Sequence, residues 1–166
     1  MVSYLTRMPA GIAGVLTRTE HATVEPGLYS ASAPFSAFGL AAKLSSGSYV
    51  PFSGGEAATA LAAINVKPFP YQSPSTASDA LGVATPSQTG GIGSFLKRGY
   101  MTILLNGGAT VAKGGQVYIR VANAAAGKPI GGFEGAADST NTVAPAGLTF
   151  MGPADANGNV EIAYNI

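Results

Sequence analysis

Over residues 99–166, apolar residues recur at every second position in short runs, and each run is cut by Gly, Ala, Asn or Asp. A period of two is the repeat of an extended strand, whose side chains point alternately to opposite faces. Residues 116–121 show it most cleanly: Val117, Ile119 and Val121 are expected inward, and Gln116, Tyr118 and Arg120 outward. Met101, Ile103 and Leu105 form a similar row before the turn Asn106-Gly107-Gly108, and Lys113-Gly114-Gly115 marks another turn. Further strands are expected over 130–134, where Gly131 and Gly132 admit a close backbone approach, and over 148–151. In the last run Val160, Ile162 and Tyr164 share a face, so the end of the chain is expected to be tied down by pairing.

The earlier part of the chain is less regular. Residues 1–34 hold the turn signals Pro9-Ala10-Gly11 and Glu25-Pro26-Gly27 around short apolar stretches, and read as an extended N-terminal arm with one or two short strands. Residues 47–51 end in Pro51, which suits a sheet edge. The stretch EAATALAA from Glu56 to Ala63 has good helix formers with Ser53 near enough to cap it, but it is short for an independent helix. Ala63-Ile64-Asn65-Val66 reads alternatively as a brief strand. Residues 68–94 contain four prolines, five serines and four glycines and read as a long loop. Phe69 and Tyr71, set between prolines, would be displayed there without a core of their own to enter, so Pro68, Phe69, Pro70 and Tyr71 are candidate contacts to a partner.

These patterns add up to an all-β fold: a compact antiparallel barrel or sandwich-like core, with residues 1–34 as an arm and residues 35–166 as a single β-rich domain. The 23 glycines and 11 prolines oppose an all-helical protein. Only 10% of residues are charged, against roughly 25% in an ordinary soluble domain. Either uncharged polar groups keep the surface soluble, or a partner covers much of it.

Composition also removes several function classes. A net charge of +1, with no basic block longer than Lys97-Arg98, opposes direct nucleic-acid binding. The absence of cysteine excludes disulfides, thiolate metal sites and a cysteine nucleophile. No apolar run approaches the ~20 residues of a membrane helix. Residues 1–8 lack the basic start and apolar core of a signal peptide, so a conventional secreted route is not expected.

Nothing in the sequence assembles a reactive centre. His21 is the single histidine, no G-x-S-x-G elbow accompanies it, and zinc would need more His, Cys or carboxylate ligands than are grouped here. The stretch from Asp155 to Glu161 has oxygen ligands around Gly158 but lacks the twelve-position calcium loop, and turn chemistry explains it better. The spacing of the carboxylates selects no acid–base pair. No catalytic residue, metal or cofactor is expected.

Several segments together resemble tailed-bacteriophage head decoration proteins of the structural cement type. They are the turn region through Glu25-Pro26, then Val66-Lys67-Pro68-Phe69-Pro70, Gly99-Tyr100-Met101 leading to Leu105-Asn106-Gly107, and Lys113-Gly114-Gly115-Gln116-Val117-Tyr118. Gly131-Gly132-Phe133-Glu134, Phe150-Met151-Gly152-Pro153-Ala154-Asp155 and the end from Glu161 to Ile166 complete the likeness, which covers most of the chain. The resemblance implies an all-β core on the outer surface of the virion, in contact with the major capsid protein and with neighbouring copies as a dimer or trimer. It also implies reinforcement of the shell after expansion, and carries no active-site residues. Rival readings are another virion component, such as a head fibre or tail protein, and a carbohydrate-binding β-domain using Tyr49, Phe69, Tyr71 and Tyr118 as ring faces.

Overall fold

A computed structural model of the chain describes residues 11–68 and 85–166. Among them are ten strands: β1 (Thr23–Tyr29), β2 (Ala41–Ser45), β3 (Ser48–Pro51), β4 (Ala63–Val66), β5 (Gly91–Asn106), β6 (Tyr118–Arg120), β7 (Phe133–Glu134), β8 (Thr142–Val143), β9 (Leu148–Phe150) and β10 (Asn159–Tyr164). Apart from three short 3-10 turns, the described chain has no helix. The all-β expectation holds, although the sheet is mixed: β1 runs parallel to β3, and β5 runs parallel to β7.

The 16-residue strand β5 organises the rest. Its first half lies between β1 and β4, with Leu96 opposite both Val24 and Ile64. Its second half pairs with β10 from Gly99 to Leu104 and then with β7. Between the halves the ladder to β1 slips: Thr23 faces Arg98 while Val24 faces Leu96, leaving Lys97 without an opposite residue. One extra residue in one strand is a β-bulge, and it reverses which side chains face inward. Leu96 points into the larger apolar core, and beyond the bulge so do Met101, Ile103 and Leu105. Gly99 makes the switch possible, because its φ of +135° is one that side chains rarely adopt and a Cβ there would sit 2.9 Å from Ala22 Cα.

Two cores flank this strand. The larger gathers side chains from β4, β5, β6, β7, β9 and β10, including Phe133, Leu148, Phe150 and Ile162. The smaller, on the other face of β4 and β5, is an aromatic cluster of Tyr29, Phe35, Tyr49 and Phe95 with small aliphatic neighbours. Phe95 stacks on Tyr49 at 4.0 Å and meets Tyr29 edge-on at 5.2 Å. Tyr29 donates its hydroxyl to Asn65 Oδ1 at 2.9 Å, and burial pushes its pKa up to about 12. Around this cluster the pairings return on themselves, running β1, β3, β2, β4, β5 and back to β1.

Glycine is required where the rings lie. Gly27 and Gly93 face each other across β1 and β5. A Cβ on Gly93 would reach 2.2 Å from the Tyr29 ring, and one on Gly27 would reach 2.4 Å from the Tyr49 ring. The aromatic faces cover bare backbone, which protects its hydrogen bonds and shapes the local twist.

Several expectations are corrected. Of the loop expected over 68–94, residues 69–84 lie outside the described residues, and its far end is corrected: β5 begins at Gly91, and the Tyr29 ring lies where a side chain on Gly93 would be. The helix expected over 56–63 is only a 3-10 turn at Ala58–Ala60, and Ala63–Val66 is the alternative brief strand. There the buried Glu56 carboxylate accepts from Lys43 Nζ at 2.5 Å and from the Ser53 and Gly54 N–H groups at 2.8 and 2.9 Å, holding the loop in a non-helical path. Arg120, expected outward, is 2% exposed, because the loop between β6 and β7 closes over that face. Val117, Ile119 and Val121 point inward as expected, and so do Val160, Ile162 and Tyr164. Within residues 1–34, the described part runs along β5: Gly14 N–H donates to Thr102 O at 2.8 Å, Leu16 bridges Met101, and β1 follows.

Gly93→Ala should therefore cost about 1–3 kcal/mol through forced overpacking against Tyr29, read as a lower urea midpoint; an unchanged midpoint would show that the ring moves freely. Glu56 supplies a second test. Burial alone would raise its pKa, but the Lys43 ammonium and the loop N–H groups outweigh it and lower the value from 4.5 to about 2. A folded pKa below the unfolded one gives stability that is complete above the unfolded value and fades as pH falls toward the folded one. Glu56→Gln should flatten the loss of stability between pH 4.5 and 2 expected of the parent, and denaturation curves that decline in parallel would contradict this.

Candidate contact surface

The residues best able to do chemistry are dispersed or engaged in structure. His21 ends an exposed 3-10 turn, with Nε2 3.9 Å from Glu20 and its ring edge-on to Tyr100. Asp155 Oδ1 accepts the N–H groups of Asn157 and Asn159 at 2.9 and 2.8 Å, the geometry of a turn-closing aspartate. Glu161, at the far end of the calcium-like stretch, instead takes Thr17 Oγ1 at 2.6 Å and the Arg18 guanidinium at 3.0–3.1 Å. Among the described residues, no three His, Asp or Glu side chains are grouped as metal ligands.

The most buried charges form one network. Arg120 grips both oxygens of Glu134, reaches Asp138 Oδ2 at 2.6 Å, and donates to the Ala122 and Asn123 carbonyls at 3.1 Å. Lys128 Nζ approaches Glu134 Oε2 at 3.3 Å. The hydrogen bond from Arg120 holds the Asp138 carboxyl below its ordinary pKa, with Asn141 adding to the effect. This network fastens the loops around β7 and β8 to the sheet without presenting a reactive group.

The surface beside β1 and β5 is different. Leu28 and Ile92 are directly opposite in the ladder, and both point outward, 53% and 76% exposed. Next to Ile92 lies a groove of about 220 Å³ that also touches Phe38, Pro68 and Pro86. Gln88 Nε2 anchors its wall by donating to the Phe35 and Pro86 carbonyls at 3.0 and 2.7 Å. Of the four candidate contacts, Pro68 lines this groove, while Phe69, Pro70 and Tyr71 lie outside the described residues. Sequence reading missed Leu28 and Ile92; the available signal was an isolated Ile between Gly91 and Gly93, hidden by the loop assignment. Tyr49, one of the proposed carbohydrate-stacking rings, is instead packed face to face on Phe95 in the core.

A family model described as XM1 gp53 minor capsid protein matches residues 1–164. No curated relative matches the chain. Among solved structures, a chain of "The capsid of Myoviridae Phage XM1" superposes with a TM-score of 0.68 at 16% identity, covering 98% of this chain and 95% of that chain. That likeness concerns the fold.

Removing one member of the buried network should be costly. Glu134→Ala leaves Arg120 short of its bidentate partner and is expected to destabilise by about 3–5 kcal/mol in urea denaturation. The paired change Arg120→Met with Glu134→Leu should cost less. A single variant that loses under about 1 kcal/mol would show that Asp138 alone suffices.

Proposed function

Because the chain belongs to the XM1 gp53 minor capsid protein family, a phage capsid role is its premise, and we propose the finer reading that it is a decoration, or cement, protein. In this reading it binds the outer surface of the expanded head, touches the major capsid protein and copies of itself, and reinforces the shell across subunit boundaries. The observation that carries the proposal is the outward apolar pair Leu28 and Ile92 on a well-paired sheet, beside the groove lined by Pro68. Adjacent exposed apolar side chains on a rigid surface favour burial by a partner.

The mechanism is additive. Each copy contributes a modest apolar contact, and repetition over a lattice multiplies it through effective concentration. The paired strands transmit load between neighbouring contacts while the side chains at the surface supply adhesion. Pro68, Phe69, Pro70 and Tyr71 belong to the same contact in this reading, since Pro68 borders the groove. No reaction is required, and the internally paired Glu56, Glu134 and Glu161 act as structural groups.

The decisive experiment is to add the purified chain to expanded heads that lack it, to sediment the particles, and to locate the bound copy in an electron-density map. Cement function predicts density on the outside and greater resistance of the head to heat; density on a tail or fibre, or none on the head, contradicts it. Phe69→Ala combined with Tyr71→Ala should lower head occupancy, by densitometry of the bound band, while leaving the urea midpoint unchanged. Interface aromatics of this kind contribute about 2 kcal/mol or more each in favourable cases, so full occupancy by the double variant at limiting concentration would remove these residues from the contact.

A further inference from the structure

Two asparagines of this chain, Asn106 and Asn157, precede a glycine, and the fold treats them oppositely. Asn106 ends β5, is 8% exposed, and donates Nδ2 to the Phe133 carbonyl at 3.2 Å. Asn157 lies in the exposed turn that leads into β10. Its backbone N–H is held by Asp155 Oδ1 at 2.9 Å, but no partner among the described residues holds its side-chain amide.

The turn itself calls for the glycine. Gly158 N–H donates to the Asp155 carbonyl at 3.0 Å, and Gly158 sits at φ +80°, a conformation open to it because it has no Cβ. Asp155 Oδ1 also accepts the Asn159 N–H at 2.8 Å, and the pairing of Asn159 with Leu104 follows directly. The missing Cβ has a second effect, since it leaves the Gly158 nitrogen unshielded next to the free Asn157 amide. The tie on that nitrogen is its bond to Asp155, and local opening of an exposed turn releases it far more readily than the packed end of β5 opens around Asn106.

We propose that Asn157 is a site of spontaneous covalent modification, at which the side-chain amide is lost by ring closure onto Gly158. The Gly158 nitrogen bonds to Asn157 Cγ, the Cγ–Nδ2 bond breaks, and ammonia leaves with the Gly158 proton. Water then opens the succinimide at one of its two carbonyls, giving aspartate or isoaspartate, and nothing is oxidised or reduced. Asparagine is a thermolabile residue in general; here the fold selects which one reacts. Either product sets a second carboxylate beside Asp155, and isoaspartate adds a carbon to the main chain within the turn that starts β10 in register. The site is separate from the apolar groove at Ile92 and does not depend on where the protein sits on a capsid.

The test ages the folded full chain in warm, mildly alkaline buffer, digests samples briefly at mildly acidic pH, and follows by mass spectrometry the replacement of amide by acid in two peptides. The tryptic peptide 99–113 contains Asn106 and no other asparagine; cleavage after Glu134 and Glu161 releases 135–161, in which fragmentation locates the change. Conversion at Asn157 should be about ten-fold faster than at Asn106, the factor conferred by one further hydrogen bond that must break, and isoaspartyl methyltransferase should label the 135–161 peptide. In concentrated urea the two rates should converge, because the fold makes the difference. Asn157→Gln should abolish the labelling of that peptide and keep the urea midpoint of the fresh protein, while only the parent loses stability on ageing. Equal rates in the folded chain, faster reaction at Asn106, or a folded chain inert at Asn157 while the unfolded chain reacts would overturn the proposal.

Discussion

The bulge in β5 is the constraint on which the rest of the structure depends. One unpaired residue, Lys97, and one glycine at positive φ, Gly99, let a single strand serve two surroundings. Before the bulge, Phe95 and Leu96 face opposite cores across a sheet covered on both sides. After it, Met101, Ile103 and Leu105 take over the larger core with the opposite parity. Without the slip, Thr102 and Leu104 would face that core, and the ladder to β10 would be built on the wrong face. The same kink brings Arg98 alongside the turn that carries His21.

Charge is used in this chain mainly to hold loops down. Each of the stronger ion pairs joins a loop or a short strand to the body: Glu56 closes the turn after β3, Arg120 fastens the loops around β7 and β8, and Arg18 ties the N-terminal segment to β10. A buried pair adds little over an apolar packing of similar shape, but it is unforgiving of a missing partner, so it favours one loop arrangement over others. Few charges are left on the outside, and Leu28 and Ile92 stand exposed opposite each other there.

The C-terminal strands were legible because each has one face in a core and one face out. Val117, Ile119 and Val121 show this, as do Val160, Ile162 and Tyr164. The first half of β5 was not legible, since Gly91, Gly93 and Gly99 erased the period that identifies a strand; the apolar surface that stabilises it comes from Tyr29 and other residues distant in sequence. Tyr49 was read as a displayed ring because nothing local records that Gly27 and Phe95 lie beneath it. Of the proposed contact surface, Pro68 was singled out from sequence, whereas Leu28 and Ile92 become neighbours only when β1 pairs with β5.

Alternation and frequent turn residues determined by themselves that the chain would form a sheet, because strand periodicity and turn propensity are local properties. The tertiary structure alone decided which strands are neighbours, where the strand parity reverses, and that Arg120 lies inside while Ile92 lies outside. Those outcomes depend on long-range pairing and on loops folding over a face, and the burial of a side chain is set by what arrives from elsewhere in the chain to cover it.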